Sequence, residues 1–305
     1  MSAINTGNFA KFLWPGAQSV YGAQYDKLPE EFREIFAKRT SDKSYEEHLG
    51  FSGFGLAPVK PEGSPISYDT AQQGFTVRLT NVVYALGFII TYEMVKDNQY
   101  ATPLDQRARA LAHSIRQTKE IVHANVLNRA TNGSYLGGDG KSLLATDHPY
   151  PTGGSWSNKL ATAADLSEAS LEQAAIQAAD FRDARGLRIS MGLRKLVIPK
   201  ELMFDATRIL KSIQQSGTVN NDINALRAMN IFPDGVAVNH YLTDTDQWFA
   251  LTTLDPQEGL IYQEREADSF DMDSDSDTRN AKFMAYSRYA AGWIDPRCII
   301  GSEGA

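Results

Sequence analysis

The dipeptide Asp147-His148, within Ala145–Pro149, has the residue types that catalysis uses most often. Histidine moves protons near neutral pH, and a carboxylate orients it, but the two groups must hydrogen-bond in space. Neighbours in sequence rarely form that pair, so the segment predicts a structural turn. A hydrolase using Asp147 and His148 stays the alternative. The sequence has no G-x-S-x-G motif to supply a serine nucleophile, and Cys298 has no second catalytic group close in sequence.

The histidines and an acidic run contain the side chains that could bind a metal ion. His113 and His123 fall on one predicted helix, but ten residues apart they share no helical face. The run Asp271–Asp277 places carboxylates at alternate positions, as a calcium loop does. Ser276 stands where such a loop needs glycine, and Lys282 stands where it needs glutamate. The run predicts a solvated loop, with weak divalent binding as the alternative.

The glycine-rich segment Gly137–Ser142 superficially resembles a phosphate-binding loop. Its glycines do not fit the G-x-x-x-x-G-K-[ST] frame, and no strand precedes it, so a flexible turn is predicted. None of these candidates assembles into an active site. The sequence therefore predicts a protein that is not an enzyme, with no catalytic residue, no cofactor and no metal site.

Composition limits the function further. The 305 residues carry 30 Lys and Arg against 37 Asp and Glu, a formal net charge of −7. Gripping nucleic acid through its phosphates needs clustered cations, so that class is disfavoured. The single cysteine excludes an internal disulfide and a cysteine-based zinc cluster. The best apolar run, Val82–Ile90, has the length of a strand rather than of a membrane span, and the N-terminus does not read as a secretory signal.

The clearest element is a long amphipathic helix over residues 103–130, with Thr102 as N-cap and Pro103 in the first helical position. Apolar residues recur along it at helical spacing, while Arg116 and Lys119 are among the cations expected on its other faces. At about 1.5 Å per residue its 28 residues span roughly 40 Å. A long irregular stretch, 132–164, follows.

The second half predicts a mixed α/β module. The expected helices cover 167–185, with Gly186 as the stop, and 200–215. The expected strands are 196–198, 235–238, 247–253 and 282–289, with an acidic loop over 268–277.

The first hundred residues lack a core of their own. Residues 1–50 scatter aromatic side chains among polar ones, and only 29–38 reads as a short helix. This segment lies either on its own domain or on a neighbouring subunit, because so much aromatic surface must be covered. Residues 51–100 predict a long β-hairpin in which 75–80 and 82–91 are the strands. A hairpin alone is marginal in water, so it must lean on something else.

This order of arm, hairpin, long helix, loop, α/β module and returning strands resembles the tailed-phage major capsid fold of the Hong Kong 97 type. Two local sequences strengthen the resemblance and are similar to the Mu-like major head subunit group. They are Leu143–Pro149, followed by Gly153-Gly154 and Asn158, and Trp293–Arg297.

The resemblance implies an α+β fold with five parts, in which Thr102 to Asn128 forms the spine helix. They are an N-terminal arm (1–50), an extended hairpin loop (51–95), a peripheral domain with the spine helix (96–185), an axial domain (186–262), and returning peripheral strands with the C-terminus (263–305).

It also implies a structural subunit that self-assembles into pentamers and hexamers of an icosahedral head shell enclosing double-stranded DNA. The expected partners are copies of itself, a separate scaffolding protein, a portal, a decoration protein and the packaged DNA, with no membrane. Its expected location is the virion, after assembly in the host cytoplasm. An encapsulin-like compartment subunit is the alternative. In one branch a loop lysine links covalently to a neighbour, and Lys60 lies in the corresponding hairpin, but an exposed charge is the simpler account.

Overall fold

The structure is a computed structural model that describes residues 9–70, 73–97, 101–214, 223–275 and 277–305, with side chains described from residue 16 onward except at Ala101. The helices are α1 (Phe9–Tyr25), α2 (Tyr92–Lys96), α3 (Ala101–Asn128), α4 (Glu168–Ala179), α5 (Met203–Lys211) and α6 (Ala225–Ala228). The strands are β1 (Ala37–Thr40), β2 (Tyr45–Phe51), β3 (Gln73–Thr80), β4 (Val82–Ile90), β5 (His148–Pro149), β6 (Ser155–Trp156), β7 (Leu193–Pro199), β8 (Val236–Asn239), β9 (Trp248–Thr252), β10 (Leu260–Ser274), β11 (Ala281–Trp293) and β12 (Ile299–Ser302).

The first sheet has the strand order β1-β10-β11-β4, and the long helix α3 packs against it. β10 and β11 form a long antiparallel pair, and β4 continues the sheet beside β11. Leu104, Leu111 and Ile115 of α3 share a core with Phe270 and Phe283 of these strands. The helix therefore lies over one face of the sheet as its spine.

The second sheet has the order β12-β9-β7-β8 and is covered by α4 and α5. Every residue of β9 is buried, and Trp248 is fully enclosed. Ser167 caps α4 through a reciprocal capping box with Ser170. β12 comes from the C-terminus, so the predicted segment 263–305 is divided between the two sheets.

The long hairpin exists, but its predicted pairing is wrong. β3 pairs with β2, whereas β4 pairs with β11. Only Asn81 separates β3 from β4, and one residue is too short a connection for a two-stranded hairpin, so the chain continues into the sheet. The extended loop is therefore the β2–β3 hairpin with residues 52–70 toward its tip.

For residues 1–50, the predicted helix is wrong. Of the two predicted positions for this segment, on its own domain or on a neighbouring subunit, the structure shows the first for the described residues. The helix expected over 29–38 is a short 3-10 turn, Glu31–Glu34, followed by β1. The 17-residue helix α1 precedes it and packs on α3. Tyr21 stacks on Phe270 with ring centroids 4.4 Å apart, so the described part of the segment lies on its own domain.

Several other predictions need correction. The acidic residues Asp271 and Asp273 lie in β10 rather than in a loop, because they alternate with inward-facing Phe270 and Met272. Helix α4 ends at Ala179 rather than 185, α5 ends at Lys211 rather than 215, and Thr102 lies inside α3 instead of capping it. The predicted strands 196–198, 235–238, 247–253 and 282–289 are confirmed in β7, β8, β9 and β11.

The prediction that Arg116 and Lys119 lie on the outer faces of the spine helix is also wrong. Arg116 is 5% exposed and Lys119 is 2% exposed, because α1 and the 3-10 turn cover that side of the helix. The α+β class is confirmed. Among the described residues, no helix has the length and apolarity needed to cross a membrane.

Candidate assembly surface

The structure places Asp147 and His148 in different surroundings. His148 is fully buried, with Nδ1 2.5 Å from Asp139 Oδ2 and Nε2 3.0 Å from Asn158 Oδ1. Its ring stacks on Trp156 with centroids 4.6 Å apart. Asp147 is exposed and pairs with Lys141, which lowers the pKa of its carboxyl. The two residues do not form a catalytic pair, and His148 holds the loop together.

Asn158 forms hydrogen bonds that connect the two sequence motifs. Its Oδ1 accepts from the backbone N–H of Ala145 at 3.0 Å, and its Nδ2 donates to the carbonyls of Leu143 and Pro296 at 2.7 and 2.9 Å. One fully buried amide thus joins the 143–149 segment to the turn that precedes β12. The two motifs that carried the resemblance are one structural unit.

The candidate metal ligands are dispersed. His113 is exposed, whereas His123 is buried and stacks on Phe32 with centroids 4.2 Å apart. Burial, together with the charge of Lys119, lowers the pKa of His123 to about 3. In the acidic run, Asp275 pairs with Lys282 at 2.8 Å. The described part of the chain contains no cluster of His, Cys, Asp or Glu suited to a metal ion.

Gly137–Ser142 forms a tight turn rather than an anion site, with the Gly137 N–H donating to the Lys141 carbonyl at 2.7 Å. A Cβ at Gly138 would lie 2.6 Å from the carbonyl oxygen of Thr76 in β3. Because glycine has no side chain, the turn can pack directly against β3 at the base of the extended hairpin.

The spine helix carries a buried polar network that the sequence analysis missed. Lys119 Nζ lies 2.5 Å from Asp268 Oδ2 of β10, and the Tyr25 hydroxyl of α1 donates to the same oxygen. Burial and the charge of Asp268 raise the pKa of Tyr25. Arg116 pairs with Glu30, just before the 3-10 turn. These interactions hold α1, β10 and the segment before the 3-10 turn against one face of α3.

Glu120 stabilises the start of the 3-10 turn. Its carboxylate accepts from the backbone N–H groups of Glu31 and Phe32 at 3.0 and 3.1 Å. The side chain is nearly inaccessible to solvent, and burial raises its pKa to about 7 despite these two donors. Glu31 in turn accepts from His240, which follows β8.

The tip of the extended loop is apolar and uncovered. Six large apolar side chains between residues 51 and 68 are 64 to 94% exposed; they are Phe51, Phe54, Leu56, Val59, Ile66 and Tyr68. A monomer rarely leaves so many large apolar side chains in one segment in water. Lys60 is exposed in the same segment.

Arg185 holds the two limbs of this loop together. Its guanidinium is 2.7 Å from Asp69 Oδ1 and donates to the carbonyls of Thr70 and Gly53 at 2.8 and 3.3 Å. Asp69 also accepts from the backbone N–H of Gly55 at 2.8 Å, and these donors lower its pKa. We call Arg185 and its partners Asp69, Thr70 and Gly53 the Arg185 clamp. Arg185 lies in the connection between α4 and β7, so the clamp holds the extended loop next to the elements of the second sheet.

A second apolar surface lies beside α5, α6 and β8. A cavity of about 420 Å³ opens there, lined in part by Met203, Leu226 and Val236. Phe204, in α5, and Met229, which directly follows α6, are also exposed. This surface and the loop tip are two apolar regions that the described residues leave uncovered.

A spine helix on one sheet, a second sheet, and a long uncovered hairpin define the class of shell-forming capsid subunits. The family model for phage capsid protein matches residues 75–302, and the chain belongs to that family. A comparison with curated proteins finds no match.

Solved structures share the fold at low sequence identity. The mature capsid of bacteriophage PhiM1 is 9% identical, with a TM-score of 0.54, 90% of this chain and 87% of that chain covered. A virus-like particle from Pyrococcus furiosus is 11% identical, with a TM-score of 0.52 and coverage of 94% and 97%. The capsid of an empty GTA particle is 13% identical, with a TM-score of 0.52 and coverage of 91% for both chains. The chain is thus a structural shell subunit with the capsid fold.

Proposed function

We propose that this chain is the major head subunit of a tailed phage, whose copies assemble into an icosahedral shell around double-stranded DNA. Its mechanism is burial of apolar surface between copies, without catalysis. The uncovered tip of the extended loop is the observation that supports this most directly.

The size of that surface fits a stable contact. A full aromatic side chain offers roughly 150–250 Å², so the six exposed tip residues present on the order of 1,000 Å². A standard interface buries about 800 Å² on each partner. The tip alone therefore offers enough apolar area for one subunit contact.

The parts of the subunit are assigned accordingly. Residues 96–185 and the returning strands form a peripheral domain, 186–262 an axial domain near the centre of each capsomer, and 51–95 the overlapping loop. The negative net charge suits a wall that encloses DNA without gripping it. Scaffolding, portal and decoration proteins complete the head, which assembles in the host cytoplasm.

Negative-stain electron microscopy of the protein, expressed alone and with its neighbouring genes' products, tests the proposal. Closed shells are expected, and their content distinguishes a DNA-filled head from an encapsulin-like compartment filled with protein. A chain that stays monomeric under every condition contradicts the proposal.

A variant of the extended loop tests whether assembly requires the apolar side chains at its tip. Replacing Phe54, Leu56 and Val59 together by serine should leave the circular dichroism spectrum unchanged and abolish shells. The matched control replaces Lys60 and Glu62, exposed charges of the same loop, by serine and should still assemble. Shells formed by the triple variant would remove the tip from the mechanism.

A further inference from the structure

Strand β10 turns a carboxylate toward the spine helix at an irregularity in its pairing with β11. Glu266 pairs with Arg288 and Ser269 pairs with Tyr286, so the two residues between them on β10 lie opposite the single residue between them on β11. Such a β-bulge bends a strand and redirects a side chain. One of the two residues is Asp268, whose Oδ2 lies 2.5 Å from Lys119 Nζ of α3.

The residue of β11 opposite this bulge is Ser287. The buried positions of β11 alternate, and the last four in the series that faces α3 are Phe283, Ala285, Ser287 and Tyr289. Two short side chains therefore follow each other between two large rings. Because Ala285 and Ser287 are short, they fill little of the space between the sheet and α3 beside Asp268.

Four polar atoms around this place have no hydrogen-bond partner among the described residues. They are Asp268 Oδ1, Ser287 Oγ and the hydroxyl oxygens of Tyr289 and Tyr21, and all four are inaccessible to solvent. Ser287 and Tyr289 are each 1% exposed, and Tyr21 of α1 is 6% exposed. We call these four residues the bulge site.

The two tyrosine hydroxyls lie within reach of the Asp268 charge. Burial and then the charge of Asp268 raise the pKa of Tyr21, and burial, Tyr84 and Asp268 raise the pKa of Tyr289. Lys119 Nζ is 5.3 Å from the ring centre of Tyr289. The bulge site therefore surrounds the same carboxylate that Lys119 binds.

A group of this kind is unusual inside a folded protein. Nearly all buried polar atoms make a hydrogen bond, and one that makes none keeps the full cost of leaving water. The other oxygen of Asp268 is well satisfied, since Lys119 and the Tyr25 hydroxyl both donate to it. The bulge site thus needs a partner that the described side chains do not supply.

The chemistry of the four atoms specifies that partner. A carboxylate oxygen only accepts, whereas serine and tyrosine hydroxyls both donate and accept, so the partner must be able to do both. An anion would be repelled by Asp268, and a metal cation would be repelled by Lys119. Water meets the requirement, and a buried water typically makes about three hydrogen bonds.

We propose that the bulge site binds ordered water between β10, β11 and the spine helix. The water donates to Asp268 Oδ1 and accepts from the hydroxyls of Ser287 and Tyr289. It thereby completes the hydrogen bonding of a carboxylate that the bulge places inside the subunit. The inference concerns the folded subunit and does not depend on shell formation.

Removing single hydroxyl groups tests the proposal in solution. Tyr289→Phe and Ser287→Ala each take one hydrogen bond from the bound water, so each should lower the thermal midpoint of the dissociated subunit by roughly 2 °C. Tyr84→Phe is the matched control, because it removes a hydroxyl from the half-buried ring that stacks on Tyr289, and it should leave the midpoint unchanged. Midpoints that stay the same or rise in Tyr289→Phe and Ser287→Ala would overturn the proposal, since deleting a dry, unpartnered hydroxyl relieves its cost of burial.

A crystal structure of the subunit grown in bromide gives a direct readout. Density about 2.7–3.2 Å from Asp268 Oδ1 and Ser287 Oγ, without an anomalous bromide signal, is the expected result. An anomalous peak at the bulge site would replace water by an anion. Side chains that hydrogen-bond to one another with no density between them would show that the site is dry, and either result would overturn the proposal.

Discussion

Glu120 and His123 lie one turn apart on the spine helix, and burial shifts their pKa values in opposite directions. Burial raises the pKa of Glu120 from 4.5 to about 7. Between those pH values the folded subunit holds a proton that the unfolded chain has released, so the contribution of Glu120 to stability falls as pH rises. Burial lowers the pKa of His123 from 6.5 to about 3, so its contribution is lost as pH falls below 6.5.

Glu120→Gln should remove the first of these dependences. The N–H groups of Glu31 and Phe32 bond different carboxylate oxygens, so the variant keeps an acceptor for one of them, and it has no charge to bury. At pH 8 it should exceed the original chain by about 2 kcal/mol in free energy of unfolding, and the gain should vanish toward pH 4.5. Urea unfolding of the dissociated subunit across this range measures it. A gain that persists unchanged at pH 4.5 would contradict the assigned protonation.

His123→Phe should act at the opposite end of the range. The ring is enclosed by Phe32 and Tyr262, and Nε2 has no hydrogen-bond partner among the described residues. Phenylalanine therefore keeps the ring contacts and loses one hydrogen bond, that of Nδ1 with the Lys119 carbonyl at 2.6 Å. Its advantage should appear below pH 6.5 and reach about 2 kcal/mol near pH 5. His123→Ala, the cavity control, should lose about 3 kcal/mol above pH 6.5 and less at lower pH, because it too lacks the imidazole. Equal pH profiles for the original and phenylalanine chains would contradict the prediction.

At the scale of elements, the ion pair of Lys119 and Asp268 fastens α1, α3 and β10 to one another. Lys119→Met should destabilise the subunit by about 3 kcal/mol, because it leaves a carboxylate buried without its cation. Lys119→Met combined with Asp268→Asn should lose less than the two single changes together. Urea unfolding of the four chains gives the coupling energy, and strict additivity would show that the two groups do not interact.

The Arg185 clamp should restrict the motion of the extended loop and contribute little to the stability of the subunit. Arg185→Ala removes bonds to both limbs, so a protease should cleave within residues 53–70 several times faster, with the thermal midpoint nearly unchanged. Arg188→Ala, which removes an exposed pair with Asp180 close by, is the matched control and should leave cleavage unchanged. Equal cleavage of the two variants would show that Arg185 does not restrain the loop.

Elements whose signal is local were predictable from the sequence. The spine helix repeats its apolar residues at helical spacing over 28 residues, and β7 is a short apolar run. Helix α1 was missed because Pro15, Gly16 and Gly22 lie within it and weaken its local signal, and packing on α3 stabilises it. The alternation of Phe270 and Met272 with Asp271 and Asp273 is typical of a strand, but the negative charge of the run favours a loop, which is what the sequence analysis predicts.

What depends on distant partners was not predictable. Nothing local distinguishes β2 from β4 as the partner of β3, and the choice follows from β11 pairing with β4. Arg116 and Lys119 read as surface cations because their acids, Glu30 and Asp268, lie far away in sequence. The Arg185 clamp likewise joins residues more than a hundred positions apart. The family resemblance predicts the architecture, whereas these long-range contacts are seen only in the structure.

At the scale of the whole molecule, the described residues leave apolar side chains uncovered at the loop tip, on β4, and on the face of α5 and α6. Such a chain either assembles or aggregates, since each surface is costly in water. In the proposed shell, contacts made by the loop tip account for overlap between neighbours. The α5–α6 surface is then free for a different contact, which we assign to the centre of the capsomer in keeping with the proposed axial domain.

Met229→Asp should separate that contact from the others. Met229 is 73% exposed beside the cavity, so the change should leave the isolated subunit as stable as before, within about 0.5 kcal/mol. Because a carboxylate brought into an apolar contact loses its hydration, sedimentation velocity should show subunits or open oligomers in place of closed shells. Arg208→Ala, an exposed change on α5, should assemble normally. Normal shells from Met229→Asp would place the α5–α6 surface outside the assembly contacts.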